Sequence, residues 1–362
     1  NDTIELNAGD NIAIDSDLLV PTTDLSVTKT DNLLEVVAGT PLDYEINVFS
    51  SGPSSVMASL EDVLPIFPSQ NAGMLSGSIS WSCVSTQPIV LNSTYDSAQF
   101  STLENASTVV MNGAGDRVWI ASPDINAVSV FSKDLNGDLV LLNTVTEGDL
   151  FDTVPLADFT GISALALSQD ETHLYVTAAS SNSLFTFNIE DLNSIEYLQT
   201  LTSGSDGIIG MIDPVNLTVS PDDNGVYVAA NGSDAITVFS RNSNTGLLSF
   251  VERIRDGFGT IVPDSNVIIG INDLRVSPDG KHVYTVADFS DAIAIFSRNS
   301  ITQQLTYLEV IREGDTHLAD DVPGMDGLHD LAFSPNGQFA YFLATDDQSL
   351  LYFDRSDSTG NL

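Results

Sequence analysis

The sequence predicts an all-β chain in which a β-sandwich is followed by a β-propeller, and three observations predict it. Turn-bearing anchors recur at Asn112, Ser168, Ser220, Ser277 and Ser334, spaced 56, 52, 57 and 57 residues apart. An aromatic stands seven residues after each anchor (Trp119, Tyr175, Tyr227, Tyr284, Tyr341) and a phenylalanine nineteen after (Phe131, Phe187, Phe239, Phe296, Phe353). Upstream, residues 24–104 alternate apolar and polar side chains between Gly and Pro turns, the pattern of sandwich strands. The expected organisation is a preceding tail or β-rich linker over 1–23, a sandwich over 24–104 and propeller blades over 105–362.

In the first part, the order DLSVTKTD from Asp24, GTPLDYEINVFSSGPS from Gly39 and DVLP from Asp62 resembles the conserved-repeat domain of bacterial surface proteins. That resemblance implies an immunoglobulin-like sandwich. Residues 1–23 resemble the strands that precede such a start in tandem arrays. Cys83 is the single cysteine, so no internal disulfide and no cysteine-based zinc site can form.

Each later repeat reads as one blade. The anchors SPDD (Ser220), SPDG (Ser277) and SPNG (Ser334) are Pro-containing turns between a first and a second strand. GVYVAA and HVYTVA are second strands, and DAITVFSR and DAIAIFSR are third strands. Fourth strands read GDLVLLNTV, IEYLQTL, GLLSFVERI and QLTYLEVI. A four-stranded sheet buries both faces only when neighbours stack on it, and radial repetition at this period is the propeller solution. The aromatic and Phe positions are then inter-blade core. SPDG followed by HVYTVAD and DAIAIFSRNS resembles the lactonase-type propeller family related to 6-phosphogluconolactonase, over residues 106–362. The resemblance implies a seven-bladed ring, whereas five blades are visible and the fifth lacks its fourth strand. Such an edge invites strand addition, from residues 98–103, from further blades, or from a strand of another copy.

Composition narrows the functions. The formal charge of −39, from 50 acidic against 11 basic residues, repels phosphate backbones and anionic headgroups. Nucleic acid is therefore excluded as a partner, and no apolar run is long enough for a membrane span. P-loop, dinucleotide, HExxH and GxSxG patterns are absent, so no nucleotide cofactor and no zinc enzyme is implied. The composition suits an exported bacterial protein, placed outside the cell or on its surface.

Propeller ligands meet the channel around the axis. Five residues before each anchor stand Ser107, Ser163, Val215, Asn272 and His329, and four before stand Thr108, Ala164, Asn216, Asp273 and Asp330. In the lactonase resemblance such polar groups would activate water and stabilise an oxyanion, so His329, Asp330 and Asp273 are the candidate catalytic residues, with Arg275 beside them. The acidic loop EGDTHLADDVPGMDGLHD from Glu313 gathers Asp315, Asp320, Asp321 and Asp326, oxygen ligands that could hold calcium; no other cofactor is required. DLNGD at 134–138 reads as the turn between third and fourth strands.

Two functions compete. The first is a non-catalytic cell-surface or matrix protein, with a sandwich spacer and a propeller that binds a protein or glycan or self-assembles through its open edge. The alternative is a lactone-hydrolysing enzyme. The first is the sequence's expectation, because a catalytic set repeated around the ring is missing.

Overall fold

The computed structural model describes residues 94–134, 137–151, 154–191, 195–256, 266–313 and 322–362, together with the backbone of 24–30 and 45–51. The chain divides into two compact units, Asn1–Thr86 and Gln87–Leu362. In the first, β1 (Asp24–Thr30) pairs antiparallel with β2 (Glu45–Ser51), Val27 opposite Val48. The rest of the expected immunoglobulin-like sandwich, including Cys83, lies outside the described residues.

The second unit is a propeller-like arrangement of antiparallel sheets. Blade 1 contains β3 (Thr108–Met111), β4 (Arg117–Ser122), β5 (Ala127–Lys133) and β6 (Leu139–Thr146), and a short hairpin, β7 (Leu150–Phe151) and β8 (Val154–Pro155), follows it. Blade 2 holds β9 (Ile162–Leu167), β10 (His173–Ala178), β11 (Ser183–Asn188) and β12 (Glu196–Thr202). Blade 3 holds β13 (Pro214–Val219), β14 (Gly225–Ala230), β15 (Ala235–Arg241) and β16 (Leu248–Arg255). Blade 4 holds β17 (Ile271–Val276), β18 (His282–Ala287), β19 (Ala292–Arg298) and β20 (Leu305–Arg312). Blade 5 shows β21 (Leu328–Phe333), β22 (Phe339–Ala344) and β23 (Ser349–Asp354). Every blade is a meander in sequence order, and the fifth is a three-stranded sheet.

Each anchor closes its first hairpin as the turn chemistry requires. The amide N–H of Ser277 donates to the His282 carbonyl at 2.8 Å, while Ser277 Oγ accepts from the His282 amide at 3.0 Å. Asn112, Ser168, Ser220 and Ser334 repeat the backbone bond. At the other hairpin of interest, Asp138 N–H donates to Asp134 Oδ1 at 2.9 Å across the connection between β5 and β6, of which residues 135–136 lie outside the described residues.

Between consecutive sheets lie four apolar clusters, one per interface. Trp119, Tyr175, Tyr227 and Tyr284 are buried in them, as are Phe187, Phe239 and Phe296, whereas Phe131 is buried on the other side of blade 1, against Phe100. Each such side chain stabilises by about 1.5–3 kcal/mol through burial. The fifth aromatic differs: Tyr341 is 36% exposed, beside Leu343, Leu350 and Tyr352, because no sheet packs on that face among the described residues. Residues 98–103, expected to cap this edge, lie instead on blade 1. Phe100 meets Phe131 edge-on at 5.3 Å, and Thr102 O accepts from Ser122 Oγ at 2.7 Å.

Buried polar latches join the blades as well. The Tyr227 hydroxyl accepts from Arg298 Nε at 2.7 Å, Tyr284 from Arg355 Nε at 2.9 Å and Tyr175 from Arg241 Nε at 2.6 Å. Each arginine also reaches the Asp two residues after the preceding blade's anchor: Asp170, Asp222 or Asp279. In two interfaces a histidine, His173 or His282, completes the latch and lies against a glycine, Gly246 or Gly360. In the third the pair is exchanged. Gly225 stands where the histidine would, and Gln303 where the glycine would; Gln303 Oε1 fills the space and accepts from Arg298 Nη2 at 2.5 Å. A Cβ on Gly225 would meet Gln303 Oε1 at 2.5 Å. Gly225→His alone is therefore expected to destabilise by about 1–3 kcal/mol. Adding Gln303→Gly, at a position with φ +66°, should restore most of that loss in urea unfolding. A double variant no more stable than the sum of the singles would show that the exchange is coincidental.

Candidate functional site

The residue five before the anchor is a β-bulge in four blades. The ladder skips Ser163 between Ile162 and Ala164, Val215 between Pro214 and Asn216, Asn272 between Ile271 and Asp273, and His329 between Leu328 and Asp330. A bulge leaves one residue unpaired and re-aims its neighbours. Consecutive side chains of the first strands consequently link blade to blade. Ser163 Oγ donates to Pro214 O at 2.5 Å, Asn216 Nδ2 to Asp273 Oδ1 at 2.5 Å, and Asn272 Nδ2 to Leu328 O at 3.4 Å.

The chemistry concentrates where blades 3, 4 and 5 meet. Asp273 is 2% exposed. Its Oδ1 accepts from Asn216 and from the Leu274 amide at 2.7 Å, and its Oδ2 accepts from the Leu331 amide at 3.1 Å and Arg275 Nε at 3.3 Å. Burial pushes the Asp273 carboxyl up to about 7; Arg275 opposes the rise, and the neighbouring Asp330 carboxyl adds to it. Asp330 is open to solvent, its Oδ1 accepting the Leu331 amide at 2.8 Å with Arg275 Nη2 at 4.0 Å. Arg275 is itself half exposed, between the two carboxylates. The result is a pair of neighbouring carboxyl groups, one buried and one exposed, with Arg275 beside both.

Of the three candidate catalytic residues, Asp273 and Asp330 are therefore brought together. His329 is exposed on its bulge next to Asp330 and makes no hydrogen bond among the described residues. Burial withdraws Asp273 from solvent and leaves Asp330 as the exposed carboxyl of the two. Sequence reading missed the depth of Asp273, which depends on the bulge and on Asn216 arriving from the neighbouring blade. Among the expected calcium ligands, Asp315, Asp320 and Asp321 lie outside the described residues. Asp326 is exposed and has Glu313 and Asp347 beside it, with carboxylate oxygens within 4.8 Å of one another.

With the geometry in hand, the likeness to known proteins falls into place. Residues 109–263 match the family model of the lactonase, 7-bladed beta-propeller. The match runs from blade 1 through blade 3. A probable 6-phosphogluconolactonase of Arthroderma benhamiae is 23% identical over 316 residues, 77% of this chain and 74% of the relative. The periplasmic gluconolactonase of Pseudomonas aeruginosa has a similar structure, with TM-score 0.53, 16% identity, and 71% of this chain and 68% of that chain covered. A Lactobacillus plantarum protein has TM-score 0.55 and 20% identity, with 70% and 68% covered. At these identities the solved structures share the fold.

The lactonase likeness corrects the expectation of a non-catalytic surface protein. That expectation rested on the surface-type sandwich, the acidic faces and the absence of catalytic motifs, including a His, Arg or Glu set aligned around the ring. The polar groups that the fold brings together, Asn216, Asp273, Arg275 and Asp330, differ from blade to blade.

Proposed function

We propose that the protein hydrolyses lactones at the inner strands of blades 4 and 5. The observation that carries this reading is the buried Asp273 carboxyl, pushed up to about 7, which shares the Leu331 amide and Arg275 with the exposed Asp330. A carboxyl with a value this near neutrality suits proton transfer at ordinary pH. Asp330 takes a proton from water as the water oxygen bonds to the lactone carbonyl carbon. Arg275 stabilises the oxyanion that forms. The ring C–O bond then breaks, and the proton passes to the departing alkoxide oxygen, giving a hydroxy acid. Asp273 is a positioning residue: its proton, donated to Asp330, keeps the two like charges from repelling each other. His329, exposed beside Asp330, is placed to relay a proton. Only side chains and water take part, so no cofactor is needed.

Export from the cytoplasm belongs to the same proposal, since one structural relative is described as periplasmic. No helix among the described residues is long and apolar enough to cross a membrane.

A panel of lactones, assayed by acid release above the spontaneous rate, tests the reading. Turnover of at least one lactone is expected, with His329→Ala slowing it by about tenfold or more. Turnover indifferent to His329→Ala removes that residue from the mechanism, and an inert panel removes the mechanism itself.

A further inference from the structure

The distribution of cations bears on which lactones the site accepts. Only 11 residues are Lys or Arg, against 50 Asp or Glu. Arg241, Arg298 and Arg355 are buried between blades, each paired with an aspartate. Lys281 stands by the anchor turn of blade 4, paired with Asp279 at 3.7 Å, at the opposite end of the first strand from Asp273. Arg275 alone among the cations belongs to a first strand. It is held by Asp273 at 3.3 Å and faces Asp330 at 4.0 Å.

The rim at the Asp273 end is acidic as well. Asp234 and Asp291 accept the amides of Gly270 and Gly327, tying the loops between second and third strands to the loops that enter the next blade. Asp213, Asp326, Asp346 and Asp347 stand on the same rim, and its large exposed side chains Ile212 and Phe289 carry no charge. A phosphate group or carboxylate entering here meets a field dominated by its own sign, because the other cations at this end, Arg253, Arg255 and Arg312, belong to the outermost strands, and Arg312 donates to the Asn266 carbonyl at 3.2 Å.

Resting on the lactonase reading, we infer that the substrate is an uncharged lactone, not a phosphorylated one, and that the same acidic rim expels the hydroxy-acid product once it ionises. The inference separates this chain from what the name 6-phosphogluconolactonase says of its relative. Bidentate guanidinium or clustered lysine contacts are what a phosphate ester needs, and Arg275, the one Lys or Arg on a first strand, is the group assigned to the lactone's carbonyl oxygen.

The experiment compares glucono-1,5-lactone with its 6-phosphate on the full chain, at about 20 mM and about 500 mM salt, where screening shortens the range of the field several-fold. The neutral lactone is expected to have a kcat/KM about 100-fold higher at low salt. Raising the salt should increase only the rate on the phosphate. Equal or faster turnover of the phosphate at low salt overturns the inference and leaves the lactonase reading standing. Turnover of neither compound overturns the inference, and the lactone panel then decides the lactonase reading.

Discussion

Asp330→Asn is expected to lower kcat/KM for a hydrolysed lactone by about 100-fold to 10,000-fold, the usual contribution of a positioned proton acceptor. The amide keeps the shape and can still accept the Leu331 amide at 2.8 Å, so folding should change little. What it loses is the exposed oxygen able to take a proton from water. Stopped-flow or pH-stat rates, together with unchanged urea unfolding, would separate this from a structural defect. An Asp330→Asn protein with the parent rate would assign the base elsewhere and leave the Asp273 pair a structural feature.

Arg298→Ala carries the largest effect on stability. The side chain is 1% exposed and donates to the Tyr227 hydroxyl at 2.7 Å, Gly280 O at 2.8 Å, Ser220 Oγ at 3.0 Å and Asp222 at 2.6 Å. Truncation strands several buried acceptors and leaves Asp222 without its cation, so a loss of about 3–5 kcal/mol is expected in urea unfolding. Arg298→Lys should recover little, because an ammonium cannot serve partners arranged around a planar fork. The first interface is the natural comparison: Ile189 occupies the equivalent place, buried, and the Trp119 indole Nε1 it faces has no hydrogen-bond partner. Were Arg298→Ala to cost less than about 1 kcal/mol, the latch would be incidental to interfaces held by apolar packing alone.

The latches also set a pH dependence. Burial, then the neighbouring arginines, holds His173 and His282 below their usual value of 6.5. A folded-state histidine that resists protonation binds fewer protons than the unfolded chain, so stability falls as pH drops through about 6.5. Asp279 adds an acid limb. Burial raises it, but hydrogen bonds from Ser277 and Arg355 prevail and hold it at about 2, so its contribution is present above 3.8 and lost as pH falls towards 2. Asp273 works in the other direction. Its carboxyl, raised to about 7, binds a proton in the folded state that the unfolded chain has released, and stability falls as pH rises from 3.8 through 7. Unfolding of Asp273→Asn beside the parent between pH 5 and 8 should show that opposing limb vanish.

Much of the propeller was legible in the sequence because the same local demands recur in every copy. Trp119, Tyr175, Tyr227 and Tyr284 at the seventh position, and Phe187, Phe239 and Phe296 at the nineteenth, answer one packing problem repeated. The latch arginines were equally visible, in FSR ending at Arg241 and Arg298 and FDR ending at Arg355, but their meaning depends on the preceding blade's Tyr and Asp and so on the stacking direction. The exchange of His and Gly for Gly225 and Gln303 is legible only once both are seen to share one space. The site was half legible. Asn216, Asp273 and Asp330 stood out at one offset, yet the bulge at Asn272 and the burial that alters Asp273 come from the fold. Function misled for the opposite reason: five similar blades suggested five similar contributions, whereas chemistry needs unlike groups side by side.

The central claim is that a proton shared by Asp273 and Asp330 drives lactone opening, and the pH–rate profile of acid release from glucono-1,5-lactone tests it most directly. The account predicts catalysis above the spontaneous rate that declines as pH rises through about 7, as Asp273 loses its proton and the carboxylates repel. In Asp273→Asn, whose amide N–H can still donate to Asp330, that decline should be absent. No acid release above background, or a profile with the same limb in parent and Asp273→Asn, would contradict it.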